Sequence, residues 1–185
     1  MFLEGRASRP SRKPGACRSP ALDIMLTIRL ATRDDAPQLL ALIRQLAAYE
    51  RKASQVVTTV ADLLRDGFGP QPKFRALLAE WDGEAAGYAS TFYFYSTYQG
   101  RPAIFIEDLF VLDKFRDQGI GKSLLSAVAK LALNEGCFGL RWEVLDWNRP
   151  AIEWYEKLGA TFLNERKAVV FNAEAMLKLT QASEP

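Results

Sequence analysis

A chain of 185 residues that is 49% hydrophobic and 25% charged has the make-up of one folded domain of ordinary size, which excludes collagenous, disordered and disulfide-stapled classes. Its net charge of +2 sits at one end, where Arg6, Arg9, Arg12, Lys13 and Arg18 meet only Glu4 and Asp23; after residue 24 there are 19 basic and 20 acidic residues, no footprint for nucleic acid. The absence of histidine removes Ser-His-Asp and Cys-His nucleophile pairs and most zinc and non-haem iron sites, so no metal is expected and acid-base work falls to carboxylates, tyrosine, lysine or water.

Residues 1–24 are rich in Pro, Arg, Ser and Gly without periodicity and are expected to be a disordered extension before a domain spanning 25–181. LTIRLA (Leu26 to Ala31) reads as a strand that runs into the N-cap candidates Thr32, Asp34 and Asp35. Leu39, Leu40, Ile43, Leu46 and Ala47 then recur at helical spacing to Tyr49 and Glu50. Thr59 and Asp62 form a capping-box pair for a short second helix, stopped by Gly67 and Gly69.

The period then changes to two. Phe74 to Trp81, the turn Asp82-Gly83 and Ala85 to Tyr95 predict a hairpin, with a third strand from Ala103 to Leu112. That strand is also the longest apolar run, and with Glu107 and Asp108 inside it falls short of the roughly 20 residues a bilayer requires, so no membrane association is expected. Ile120, Leu124, Leu125, Val128 and Leu131 mark an amphipathic helix ending near Gly136. A strand (Leu140 to Leu145), a helix (Pro150 to Leu158) and a strand from Thr161 complete the pattern: one mixed sheet flanked by helices, α/β in class. Cys17 and Cys137 have neither metal-ligand nor disulfide spacing, which fits a reducing cytoplasm.

The segment Arg116-Asp117-Gln118-Gly119-Ile120-Gly121-Lys122 joins the third strand to its helix with two glycines at the helix start. Converging backbone N–H groups and the positive end of the helix suit an anion, and Arg116 or Lys122 can add a donor; a plain tight turn is the other reading. Glu107 and Asp108 are adjacent carboxylates on an apolar strand, so alternation sends one to each face, an unfavourable arrangement unless each is hydrated or paired. Asn148 and Tyr155 share a helical face, where Tyr155 is either a functional hydroxyl or a packing aromatic.

Arg-x-x-Gly-x-Gly after IEDLFVL resembles the pyrophosphate-binding segment of the GNAT superfamily of N-acetyltransferases, and GFGPQP, YSTYQGR and VLDWNRPAIEWYEKLGA are similar to its diamine and thialysine branch. The resemblance implies the acyl-CoA N-acyltransferase fold, with a mostly antiparallel mixed sheet, and acetyl-CoA as cosubstrate. It implies that Leu109, Phe110 and Val111 bind the pantetheine arm through their backbone, that residues Arg116, Asp117, Gln118, Gly119, Ile120, Gly121 and Lys122 hold the pyrophosphate, and that Asn148 faces the cofactor. Tyr155 is then the acid toward sulfur, Glu107 the base through water, and Tyr49, Glu50 and Asp108 face a small-molecule amine. Arg51 and Lys52 stand where polyamine-specific relatives are more acidic, which turns the expectation toward lysine-like acceptors. A homodimer is also implied. Acetylation of protein lysines or N-termini, and a noncatalytic acetyl-CoA-binding regulatory module, are the competing readings.

Overall fold

The computed structural model describes residues 25–165 and 167–181; the expected disordered extension, residues 1–24, lies outside the described residues. The chain divides into two compact units, one ending at Trp142 and one beginning at Glu143.

The first unit is built on a five-stranded sheet, β1 (Leu26–Leu30), β2 (Arg75–Trp81), β3 (Glu84–Ser96), β4 (Arg101–Val111) and β5 (Leu140–Trp142), in that spatial order. The first four pair antiparallel and β5 runs parallel to β4, so the sheet is mixed and mostly antiparallel as expected. Its helices are α1 (Ala36–Tyr49), α2 (Val60–Asp66) and α3 (Ile120–Asn134). Local chemistry explains most of the boundaries. Asp62 N–H donates to the Thr59 hydroxyl while the Asp62 carboxylate accepts from the Thr59 backbone, the reciprocal pair that starts α2. Asp82 and Gly83 both have positive φ, 51° and 79°, the turn that matches the twist of β2 and β3.

Each face of the sheet is sealed by its own cluster. Leu77, Ala79, Ala86, Ala89, Ile104 and Ile106 pack with Ile120, Leu124, Val128 and Ala132 of α3. On the other face Ala76, Leu78, Tyr88 and Phe110 pack with Leu39, Leu40 and Leu42 of α1 and Leu63 of α2. Asp35, before α1, ties that helix to the sheet: its carboxylate accepts from Arg29 at 2.7 and 2.8 Å and from the Thr32 N–H at 2.6 Å, and Arg29 reaches on to Glu80 at 2.6 Å.

The β3–β4 ladder contains one irregularity that positions the site. Thr91 pairs with Ile106 and Ser90 with Asp108, so Glu107 is one extra residue in the register of β4. A bulge of one residue inverts the alternation beyond it. Ile104 and Ile106 therefore face α3, whereas Phe110, four positions after Ile106, packs in the α1 cluster. Gly87 lies opposite Val111, where a Cβ would come within 2.4 Å of the Phe110 carbonyl oxygen, so only glycine admits this close approach of the strands.

The second unit holds α4 (Arg149–Lys157) and α5 (Ala173–Gln181). Three expectations are corrected around it. The strand ending at Leu145 stops at Trp142, the strand from Thr161 is absent among the described residues, and α5 was not anticipated. Val169, Val170 and Phe171 favour strand geometry but are 86%, 81% and 58% exposed, because β-propensity needs a ladder partner that local sequence does not supply. For α5 the signals were present: the Asn172 side chain caps Ala175 N–H at 2.8 Å, and Glu174 pairs with Lys178 at 2.7 Å.

Candidate active site

Pairing between β4 and β5 covers Ile104 to Ile106 and ends there, leaving Glu107 to Val111 without a strand on that edge. Gly119, at the N-cap of α3, has φ 78°, a conformation that glycine adopts without strain. No side chain caps this helix and its first turn carries no acid, so the orphan N–H groups of its N-terminus remain for a ligand. Asp117, also left-handed at φ 61°, and Gln118 are exposed in the approach to it, and Ile120 anchors the helix in the core. These features fit the phosphate and arm of a CoA thioester running along β4 into the turn.

The end of α1 meets this strand. The Tyr49 and Phe110 rings lie 6.5 Å apart, and the Arg116 guanidinium sits 4.7 Å from the centre of the Tyr49 ring. Arg116 also pairs with Asp113 at 2.7 Å and donates to the Val111 carbonyl at 3.3 Å. The side chain expected at a phosphate is thus turned toward the expected acceptor residue. Lys122, exposed, lines an open groove of about 690 Å³ together with Arg29, Ser126 and Lys130, on the flank of α3 that faces β1. Glu50 is held by Lys52 at 3.2 Å, and Arg51 takes a left-handed conformation, φ 61°, as the chain leaves α1.

Glu107 is exposed at the bulge, and Asp108 is half-buried with its Oδ2 accepting from the Ser90 hydroxyl at 2.7 Å. Burial pushes the Asp108 carboxyl above its ordinary range; the Ser90 and Tyr88 hydroxyls oppose that shift, and the charge of Glu50 adds to it. Tyr88 and Ser90 are two apart on β3, opposite Phe110 and Asp108, and sequence reasoning missed both. Their only signal was alternation along a strand, which does not say what stands across from it. The Tyr88 side chain is fully buried, and burial together with the charge of Asp108 keeps its phenol protonated.

In the second unit, Asn148 caps α4, its Oδ1 accepting from Ala151 N–H at 3.4 Å. Tyr155, one position beyond Trp154, is buried, and desolvation pushes its hydroxyl up to about 12. It is therefore protonated at neutral pH.

A strand paired over only part of its length, leading into an uncapped, glycine-led helix start, is the arrangement that the resemblance to N-acetyltransferases leads one to expect. The chain belongs to the acetyltransferase (GNAT) family, whose model matches residues 40–160. It is 40% identical over 163 residues to the thialysine N-epsilon-acetyltransferase of Sus scrofa, covering 82% of this chain and 95% of that protein. It is 32% identical to a human spermidine/spermine N(1)-acetyltransferase-like protein 1, over 82% of this chain and 23% of that one. Among solved structures an integron cassette protein from the mobile metagenome of V. cholerae superposes with a TM-score of 0.71 at 21% identity, over 84% of this chain and 98% of that one, a likeness of fold.

Proposed function

We propose that this protein transfers the acetyl group of acetyl-CoA to a primary amine of a small molecule, with a lysine-like or diamine acceptor. The observation that carries the reading is the meeting of two surfaces on β4: a free backbone edge leading to the start of α3, and an acidic, aromatic end of α1 formed by Tyr49 and Glu50 beside Asp108. Support for the acceptor class comes from the thialysine enzyme at 40% identity over 82% of this chain and 95% of that one.

Acetyl-CoA supplies the activated acetyl thioester. The backbone of Leu109, Phe110 and Val111 would hold its arm, and the turn from Arg116 through Lys122 its phosphates, with Asn148 as a further contact. An alkylammonium with a pKa near 10.4 must lose a proton before it attacks, and Glu107, exposed to water, is the group proposed to receive it through a water molecule. Asp108 and Glu50 orient the amine by charge. The Tyr155 hydroxyl, protonated at neutral pH, is proposed to supply the proton for the leaving thiolate. Two further expectations belong to the same proposal, a homodimer from the resemblance and a cytoplasmic location from the cysteine usage; among the described residues no helix is long and apolar enough to cross a membrane.

The test is a mass-spectrometric transfer assay with acetyl-CoA and a matched panel: thialysine, lysine, putrescine, spermidine, a lysine-containing peptide and no acceptor. Acetylated thialysine or lysine ahead of the others supports the proposal. Preference for the peptide would replace it with protein acetylation, and binding of acetyl-CoA without product from any acceptor would leave a binding module.

A further inference from the structure

The Tyr88 hydroxyl is the one buried side-chain polar atom among the described residues without a hydrogen-bond partner. Leaving a buried hydroxyl unpaired is unfavourable by about 1–3 kcal/mol, so such an atom calls for an explanation. Its surroundings are acidic: Asp108 is the charge it feels most, followed by Glu50 at the end of α1 and Glu107 at the bulge. The hydroxyl stands near enough to the Asp108 carboxyl to favour its charged form yet falls short of a full hydrogen bond to it, while Ser90, two residues along β3, donates to Oδ2 of the same carboxyl at full strength. No cation among the described residues pairs with Asp108, and the Lys52 ammonium of this region is taken by Glu50.

We infer that Tyr88 is a positioning residue for the acceptor site: its hydroxyl turns to donate to Asp108 when a primary ammonium arrives, so that Tyr88 and Ser90 together hold that carboxylate ionised and aimed at the ligand. A carboxylate can accept several hydrogen bonds, whereas a protonated carboxyl has less use for a second donor. The orphan hydroxyl is thus a donor in reserve for the charged form, and the cation that calls up that form is the ligand. Enclosure of the hydroxyl fits this indirect role, because the ligand touches Asp108 and not the phenol. Burial and then the charge of Glu50 from α1 oppose ionisation of Asp108, whereas the Ser90 and Tyr88 hydroxyls from β3 favour it. This inference rests on the amine-acetyltransferase reading for its ligand class.

The experiment compares wild type and Tyr88→Phe, which removes one oxygen and almost no volume. Carboxyl carbon-13 shifts of aspartate-labelled protein follow the titration of Asp108, assigned with Asp108→Asn, with and without n-butylammonium chloride. The expected result is a midpoint in wild type that falls when the ammonium is added, and in Tyr88→Phe a midpoint that is higher throughout and falls less. Kinetics with the best acceptor should show KM for the amine up about 10-fold, kcat and KM for acetyl-CoA nearly unchanged, and the acid limb of kcat/KM moved to higher pH. Thermal stability of the ligand-free variant should be equal or higher, since an unpaired buried hydroxyl has gone; a lowered Tm with unchanged titration would mean that Tyr88 serves packing and would overturn the inference. Identical Asp108 midpoints in the two proteins, with and without the ammonium, would overturn it as well. A wild type whose midpoint responds to n-butylammonium but which acetylates no amine would instead count against the acetyltransferase reading alone.

Discussion

Asp35 and Asp108 both stand largely out of water in the first unit, and they keep opposite company. Asp35 receives two hydrogen bonds from Arg29, whose guanidinium also reaches Glu80, and a further one from the Thr32 backbone. The Arg29 hydrogen bonds hold its carboxyl well below the usual carboxylate range. Asp108 receives one hydroxyl, lies beside an unpaired phenol and an acidic neighbour, and is pushed the other way by burial. A carboxylate whose acceptor capacity is filled by a cation fastens the fold; one left short of a cation keeps that capacity for something that arrives from solution.

The contrast breaks most sharply under substitution. Asp108→Asn should lower kcat/KM for the amine about 100-fold, the scale of a lost charge-assisted contact of roughly 3 kcal/mol, with KM for acetyl-CoA changed less than twofold in steady-state assays. Asp35→Asn should leave kcat/KM per folded molecule within about threefold. Its effect belongs to stability: since Arg29 is about one-third exposed, screening reduces the loss to about 1–3 kcal/mol in urea unfolding. Gly87→Ala tests the strand contact on which the Asp108 side depends. Its methyl group would press on the Phe110 carbonyl, and a loss of about 2–3 kcal/mol in the same urea experiment is expected.

The pH dependence of stability sharpens the same comparison, because the two groups have opposite signs. Asp35 has a folded pKa below its unfolded value near 3.9, so its contribution is complete above about pH 5 and fades as pH falls through 4 and below. Asp108 has a folded pKa above its unfolded value near 3.9, so its ionisation weakens the fold as pH rises above about 4, and Asp108→Asn should flatten that segment of the urea-derived stability curve. The smallest effect is expected from Arg116→Ala, which removes a guanidinium stacked on Tyr49 and an i,i+3 pair with Asp113 at about 0.5–1 kcal/mol. If Arg116 serves Tyr49 more than the phosphates, KM for the amine will move at least as much as KM for acetyl-CoA.

Much of this was legible in the residues themselves. Thr59 with Asp62, Asp82-Gly83, and the helical spacing from Ile120 each encode their own structure within a few positions, so α2, the β2–β3 turn and α3 lie within a residue or two of where the sequence puts them. The glycine turn before α3 was legible for the same reason, and so was the helix end at Tyr49 and Glu50. Where the pattern depended on a partner, reading along the chain went astray: the strand expected from Thr161 has no counterpart among the described residues.

Sequence alone determined the class, the order of elements from β1 to α4, the glycine turn before α3 and the presence of two carboxylates in an apolar strand. Tertiary structure alone decided which way those carboxylates go. Strict alternation from Ile104 and Ile106 would send Asp108 under α3 into the aliphatic cluster, and only the ladder to β3, with Glu107 left over, turns Asp108 toward Ser90 and Phe110 into the cluster of α1. A bulge is a relation between two strands, written in the register of both, and no window along one of them contains it.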